Sequence, residues 1–225
     1  MELQPRLLDV SVPDDPEAAV LVLHGGANRA ASMRVSPTQL SVLRMIPIAR
    51  RIARVDRRRL AVFRLLNSYR GWDTTHTPVH DARWAIEQIA ERLGRRLPLC
   101  LVGHSLGGRA ALLTVGEPEV RSVVALAPWV YPTDMPDGLT GRRILIVHGT
   151  RDRVARPDRA AAVAKAISRH APVSYVSVEG GGHAMIKRHA VFSSLASDFA
   201  ALTLLGAAPR GALAGIPEDG SATLT

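Results

Sequence analysis

An apolar run leads directly into Gly103-His104-Ser105-Leu106-Gly107, and this junction constrains the fold of the chain more than any other segment. Residues 97–102 have the length and apolarity of a buried parallel strand, and residues 108–113 have the composition of a helix. A G-x-S-x-G segment between a strand and a helix presents its serine at a sharp turn. The glycines are needed because side chains at the flanking positions would collide across that turn. The sequence therefore predicts an exposed nucleophilic serine, Ser105, at the end of a strand.

Apolar runs alternate with amphipathic stretches along most of the chain, which is typical of a doubly wound parallel sheet. Strands are predicted over 19–23, 60–65, 97–102, 122–127, 143–147 and 173–178. Helices are predicted over 37–55, 79–93, 105–115, 156–169 and 184–204. The first 18 residues or so favour one or two further antiparallel strands. The predicted class is α/β, with a mostly parallel central sheet of about seven or eight strands and helices on both faces.

The length of 225 residues and a hydrophobic content of 47% fit one domain with a large core. No repeat or change of composition separates a second unit, so residues 1–205 are predicted to form a single domain. Small residues and glycines dominate after Leu205, and residues 206–225 are predicted to be a disordered tail.

The sequence predicts a soluble, cytoplasmic protein. No apolar stretch approaches the ~18 residues of a membrane span, and acid and proline precede the first apolar run. Cys100 is the single cysteine, so no intramolecular disulfide can form. Neither a membrane nor a nucleic acid is predicted as a partner, and both a monomer and a homodimer are compatible with the sequence.

The formal net charge of +9 comes almost entirely from arginines scattered along the chain. No nucleic-acid motif accompanies them and few aromatic residues lie between them, so a solvated basic surface is the favoured interpretation. A weak attraction of this surface to anionic substrates remains open.

A serine hydroxyl needs an imidazole to accept its proton and a carboxylate to orient that imidazole. Asp152 lies in the loop after the strand predicted over 143–147, which is a suitable place for the acid. His183 lies on a glycine-rich loop after the strand predicted over 173–178 and is the predicted base. Ser105, Asp152 and His183 all fall at the carboxyl ends of strands, where open α/β sheets carry their chemistry.

Other acids and histidines have competing interpretations. Asp158 is an alternative acid that is better explained as part of a helix start. His170 falls at a helix end and His189 inside the last helix, so neither sits on a loop after a strand. His104 is predicted to pack under or beside the nucleophile, and His148 is predicted to be structural.

An oxyanion hole requires two backbone N–H groups, one of them from the residue after the nucleophile. Leu106 supplies that group. The second is predicted from His24-Gly25-Gly26-Ala27, which follows an apolar strand. Gly26 is the first choice and Ala27 the second.

The segments 24–26, 103–108, 148–152 and 182–183 together resemble the serine α/β-hydrolase superfamily, and with residues 69–73 the chain is similar to its small esterase-like members. The resemblance covers residues ~19 to ~204 and includes the chain order Ser–Asp–His. It implies an eight-stranded fold, an acyl-serine intermediate and hydrolysis of an ester, thioester or amide, with no metal or cofactor. The substrate would be a small acyl compound. An acyltransferase, a peptidase or a non-catalytic binding protein on the same fold remain alternatives.

The segment 130–141 is too short to hold the helical lid that many such hydrolases carry. An open pocket mouth is therefore predicted, suited to small or protruding acyl groups. Five residues are expected to ring it: Trp129, Tyr131, Met135, Trp72 and Asn28. Residues 69–73 are expected to brace the loop beside the nucleophile, with substrate binding as the alternative.

Overall fold

A computed structural model of the protein describes residues 4–26 and 33–225. Within these residues, eight strands and six helices alternate along most of the chain. The strands are β1 (Arg6–Ser11), β2 (Ala18–Leu23), β3 (Leu60–Leu66), β4 (Leu99–His104), β5 (Val120–Leu126), β6 (Arg143–Gly149), β7 (Val173–Val178) and β8 (Gly220–Leu224). The helices are α1 (Leu40–Leu43), α2 (Met45–Ala53), α3 (Thr77–Leu93), α4 (Leu106–Leu113), α5 (Pro157–Ile167) and α6 (His189–Leu205).

All eight strands form one sheet in the order β1-β3-β2-β4-β5-β6-β7-β8. The pairing of β1 with β3 is antiparallel, and every other pair is parallel. Strands β2 and β4 are buried along their whole length, because a parallel sheet covered on both faces needs nearly continuous apolar sequence. The fold confirms the predicted α/β class and its mostly parallel sheet.

Helices cover both faces of the sheet, and each face has its own apolar core between sheet and helices. Leu21 and Leu101 point to the face covered by α3, α4 and α5, where Ile86 and Val163 join them. The residues that alternate with Leu21 and Leu101 along the same strands point to the face covered by α2 and α6. This alternation follows from the two-residue period of a strand. Both faces of the sheet are thus covered, while its carboxyl edge stays free for loops.

The predicted helix over 37–55 forms as two shorter helices, α1 and α2, which meet at Arg44. The last helix begins at His189 rather than at residue 184, because residues 182–188 form the loop that carries His183. No helix occurs in residues 127–142, between β5 and β6, in agreement with the predicted absence of a helical lid.

The segment after Leu205 differs from the predicted disordered tail. A 3-10 turn (Gly211–Gly215) leads into β8, which adds a parallel edge strand to β7. The Ser174 hydroxyl donates to the Pro217 carbonyl at 2.7 Å, and the Glu179 N–H donates to the Leu224 carbonyl at 2.7 Å. Backbone pairing holds this strand along its length, and Leu224 is its one residue that packs against the apolar core, so the strand carries only a weak hydrophobic signal.

None of the helices formed by the described residues is long and apolar enough to cross a membrane.

Candidate active site

Ser105 lies at the turn between β4 and α4, with backbone angles φ 56° and ψ −118° that non-glycine residues seldom adopt. The neighbouring glycines make this turn possible. A Cβ atom on Gly103 would lie 2.1 Å from the Gly107 carbonyl oxygen, and one on Gly107 would lie 2.5 Å from the Leu23 carbonyl oxygen. The two glycines thus allow β4 and α4 to meet closely, and the strained backbone lifts the Ser105 side chain off the end of the strand.

A continuous chain of hydrogen bonds joins the three residues predicted to act together. Ser105 Oγ lies 3.0 Å from His183 Nε2, and His183 Nδ1 lies 2.8 Å from Asp152 Oδ2. A carboxylate accepts, so Nδ1 carries the proton and Nε2 accepts from the serine hydroxyl. The structure therefore brings together loops that follow β4, β6 and β7.

The Asp152 side chain is fully buried and is held by several donors. His148 Nε2 lies 3.1 Å from Oδ2, while the N–H groups of Val154 and Ala155 donate to Oδ1 at 2.8 and 2.9 Å. Burial acts to raise the pKa of Asp152, but the hydrogen bonds from His148 and His183 outweigh it and hold that pKa well below its usual range. The carboxylate therefore stays charged at neutral pH.

Two further buried histidines support the loops around Ser105. His104 Nε2 donates to the His183 carbonyl at 2.8 Å, and the two imidazole rings lie 4.9 Å apart. His24 Nδ1 donates to the Gly25 carbonyl at 2.6 Å. Burial, followed by the charge of His183, lowers the pKa of His104 to about 3, and burial lowers the pKa of His24 to about 4. Both imidazoles are therefore neutral at pH 7, and His104 packs beside the site as expected.

The two N–H groups predicted to form an oxyanion hole, those of Leu106 and Gly26, belong to residues that border the same pocket as Ser105. Neither N–H donates to a backbone acceptor in residues 4–26 and 33–225. Gly26 lies tightly against the Tyr69–Asp73 segment, since a Cβ atom there would lie 2.0 Å from the Arg70 carbonyl oxygen. The second choice, Ala27, lies outside the described residues.

A pocket of about 360 Å³ opens beside Ser105. Trp129 is one of its lining residues, and the backbone N–H of Trp129 donates to the Ser105 carbonyl at 3.1 Å. Three other lining residues, Ser41, Arg44 and Val154, were not anticipated from the sequence. The described residues that line the pocket are Gly25, Gly26, Ser41, Arg44, His104, Ser105, Leu106, Trp129, Val154 and His183.

The other residues predicted to ring the mouth are placed differently. Trp72 and Tyr131 pack on the Arg109 guanidinium, whose central carbon lies 4.1 Å and 5.1 Å from their ring centres. Arg109 also forms a buried ion pair with Asp134 at 2.7 Å. Met135 is 40% exposed and does not line the pocket. The cluster joins the loop after β3 to the loop after β5, which agrees with a bracing role for residues 69–73. Asn28 lies outside the described residues.

The competing candidates lie away from the hydrogen-bonded chain. Asp158 pairs with Arg156 at 2.7 Å at the exposed start of α5. His170 is exposed in the turn after α5, and His189 begins α6. Within the part of the chain that the structure describes, no group of three His, Cys, Asp or Glu side chains could hold a metal ion.

Comparison with known proteins assigns the family. Residues 75–201, more than half of the chain, match the family model described as an alpha/beta hydrolase domain. The chain therefore belongs to the alpha/beta hydrolase family, which supports hydrolase activity. No curated protein matches the sequence.

Several solved structures share the fold at low sequence identity. An alpha-beta serine hydrolase homologue from Coxiella burnetii is 16% identical with a TM-score of 0.64, covering 86% of this chain and 89% of its own. Est1E from Butyrivibrio proteoclasticus, with ferulic acid bound, is 12% identical with a TM-score of 0.64, covering 90% of this chain and 96% of its own. A puromycin-hydrolyzing peptidase from Mycobacterium tuberculosis is 19% identical with a TM-score of 0.62, covering 92% of this chain and 38% of its own. At these identities the likeness establishes the fold alone.

Proposed function

We propose that the protein is a serine hydrolase that cleaves carboxylic esters through an acyl-serine intermediate, with Ser105 as nucleophile, His183 as base and Asp152 as the acid that orients the base. The observation that carries this proposal is the unbroken hydrogen-bonded chain from Ser105 Oγ to His183 and on to Asp152 Oδ2. Acyl transfer requires a nucleophile within hydrogen-bond distance of its base, and a base within hydrogen-bond distance of the group that orients it.

In the first half of the proposed reaction, Ser105 Oγ attacks the acyl carbon while His183 Nε2 takes the hydroxyl proton. The carbonyl oxygen becomes an oxyanion, which the N–H groups of Leu106 and Gly26 would stabilise. His183 then gives the proton to the leaving alcohol as the ester bond breaks. In the second half, His183 takes a proton from water, the resulting hydroxide attacks the acyl-serine, and the proton returns to Ser105 Oγ with release of the carboxylic acid.

The charges around His183 favour the transient imidazolium that this mechanism needs. Asp152 is ionised and buried, so its negative charge acts on the imidazolium with little screening by water. His104, packed against His183, is neutral at pH 7 and adds no opposing charge. Asp152 therefore acts both by orienting the ring and by stabilising its charged form.

The size of the pocket favours small acyl or alcohol groups. Its volume of about 360 Å³ is at the lower end of the range for small-molecule sites, and no helix forms between β5 and β6 to cover it. An arylesterase is among the solved structures that share the fold, and this supports an ester as the scissile group. Thioester or amide cleavage, acyl transfer to an alcohol, and peptidase activity use the same residues and are the alternatives, as is a non-catalytic binding protein.

Labelling with a fluorophosphonate and turnover of a panel of 4-nitrophenyl esters test the proposal together. Ser105→Ala should abolish labelling and lower kcat by roughly 10⁶-fold, by analogy with knockouts of other serine enzymes. Ser168→Ala, which changes an exposed serine after α5, is the matched control and should keep both activities. A folded wild-type protein that neither reacts with the fluorophosphonate nor turns over any ester would instead support the binding protein. Competing alcohols and peptides in the same assay distinguish hydrolysis from transfer and peptidase activity.

A further inference from the structure

Arg44 brings a permanent positive charge to the pocket beside Ser105. It lies where α1 meets α2, and its half-buried side chain lines the same pocket as Ser105 and Leu106. The described residues that line the pocket include no aspartate or glutamate. Apart from histidine, Arg44 is thus the one ionisable side chain among them, and it is a cation.

Arg44 has no ionic partner among the described residues, whereas eight other arginines form ion pairs. Arg59 pairs with Glu17, Arg109 pairs with Asp134, and Arg143 pairs with Glu218, at 2.7 to 2.8 Å. The Arg44 guanidinium makes no ion pair and no hydrogen bond within residues 4–26 and 33–225.

Burial and nearby charge affect the pKa values of both Arg44 and His104, which line the same pocket. Burial lowers the pKa of Arg44, since partial removal from water disfavours the charged form. Its charge also reaches His104: burial and the charge of His183 do most to lower the pKa of His104, and Arg44 acts in the same direction. A half-buried guanidinium without a protein partner among the described residues is available to an anionic ligand, and such a contact is a charge-assisted hydrogen bond.

We propose that Arg44 binds a carboxylate of the substrate, so that the preferred substrates of this hydrolase are esters that carry a carboxylate in addition to the scissile bond. The inference rests on the proposed function, because it describes the substrate of the same site. A guanidinium suits this role, since its planar fork can donate two parallel hydrogen bonds to a carboxylate. The carboxylate can belong to the acyl group or to the alcohol group, and the two cases are separated by the choice of ester.

The test compares charged and neutral esters of matched size. On the acyl side, 4-nitrophenyl hemiadipate is compared with 4-nitrophenyl hexanoate. On the alcohol side, 4-acetoxybenzoate is compared with its methyl ester. For each pair the ratio of kcat/KM, charged over neutral, is measured for the wild type, Arg44→Met and Arg44→Lys. Differences in intrinsic reactivity cancel when the ratios of two protein forms are compared.

Arg44→Met should lower the charged-to-neutral ratio roughly 10- to 100-fold for one of the two pairs, the range expected when a hydrogen-bonded charge partner is lost. Arg44→Lys should retain part of the preference, because it keeps the charge but loses the planar fork. Arg50→Met, which removes an exposed charge on the neighbouring helix α2, is the matched control and should leave the ratio unchanged.

Two results would overturn the inference while leaving the proposed function intact. One is Ser105-dependent turnover with the same ratio in the wild type and in Arg44→Met. The other is an equal fall of the charged-to-neutral ratio in Arg44→Met and Arg50→Met that disappears at 0.5 M salt, about three times physiological ionic strength. Salt at that concentration screens long-range surface attraction, whereas it screens a partly buried contact much less.

A binding measurement keeps the inference testable even if no ester is turned over. Monomethyl adipate should raise the Tm of Ser105→Ala, and the increase should be absent in Ser105→Ala combined with Arg44→Met. Equal increases in the two proteins would contradict a role for Arg44 in carboxylate binding. Absence of turnover in the wild type would contradict only the proposed reaction.

Discussion

His148 Nε2 lies 3.1 Å from Asp152 Oδ2, the same carboxylate oxygen that His183 Nδ1 contacts at 2.8 Å. The His148 side chain is fully buried, and its Nε2 also lies 3.1 Å from the Ala155 carbonyl oxygen. Because both neighbours are acceptors, Nε2 carries the proton and shares it between them. His148 thus donates a hydrogen bond to the same carboxylate oxygen that orients His183, so its predicted structural role is to support Asp152.

Replacing His148 with leucine should lower kcat roughly 10-fold with KM within about twofold, because a hydrogen bond to a charged group is lost while the pocket is untouched. His148→Gln is the matched variant, since its amide N–H can reach Asp152 and should restore much of kcat. Steady-state kinetics on a 4-nitrophenyl ester measure kcat and KM for the two variants. Equal kcat values for the leucine and glutamine variants would show that the N–H of residue 148 does not act on Asp152.

Asp152→Asn should lower kcat on the order of 10⁴-fold, by analogy with the effect of this change in a serine protease. The asparagine amide can donate to His183 Nδ1 and so favour the tautomer in which Nε2 carries the proton and cannot accept from Ser105. Asp158→Asn is the control, because Asp158 is an exposed carboxylate that pairs with Arg156 away from His183. If Asp152→Asn retained a tenth or more of the wild-type kcat, another group would have to orient His183.

The buried neutral histidines should make the protein less stable in acid. The pKa of His24 is about 4 and that of His104 about 3 in the folded protein, both below the ordinary histidine value. At pH values below that ordinary pKa, the unfolded chain binds protons that the folded protein does not bind. The stabilising contribution of the two histidines is therefore present above about pH 6.5 and is lost as the pH falls toward their folded pKa values. Between pH 7 and pH 5 the loss is roughly 2 kcal/mol of unfolding free energy for each histidine.

Urea unfolding at pH 7, 6 and 5 measures this dependence. His24→Asn should flatten the fall in unfolding free energy with acid, since it removes one of the two buried imidazoles. His170→Asn removes an exposed imidazole and should retain the wild-type slope. An unchanged slope in His24→Asn would mean that His24 is not held neutral by burial.

The parts of the site that could be predicted from the sequence all lie where an apolar run ends in glycine or polar residues. Ser105, Asp152 and His183 each follow such a run, and a parallel sheet gathers the carboxyl ends of its strands at one edge. The order of the runs therefore placed these residues near one another without any knowledge of side-chain contacts. The absence of a helical lid could be predicted in the same way, because the connection between β5 and β6 is short.

The rest of the site depends on packing that local sequence does not encode. Trp72 and Tyr131 resemble residues of a pocket mouth, but Arg109, one turn into α4, draws both rings onto its guanidinium. Arg44 is one of many scattered arginines, and only the meeting of α1 and α2 brings it to the pocket. The strand β8 was missed because backbone pairing with β7 holds most of it and Leu224 is its one residue packed against the core, which leaves only a weak hydrophobic pattern.

Gly26→Ala tests whether the loop after β2 supplies part of an oxyanion hole. A Cβ atom would lie 2.0 Å from the Arg70 carbonyl oxygen, a backbone atom that cannot rotate away, so the loop must shift and carry the N–H of residue 26 with it. Loss of one oxyanion-hole donor typically lowers kcat by about 10²- to 10³-fold, and a comparable fall is expected here. Gly215→Ala is the control, because nothing lies within 4 Å of a Cβ atom at that position. The measurement is kcat on a 4-nitrophenyl ester together with the rate of fluorophosphonate labelling, which forms a similar oxyanion at phosphorus and should fall in parallel. A Gly26→Ala protein with wild-type kcat and labelling rate would show that the N–H of residue 26 does not stabilise the transition state.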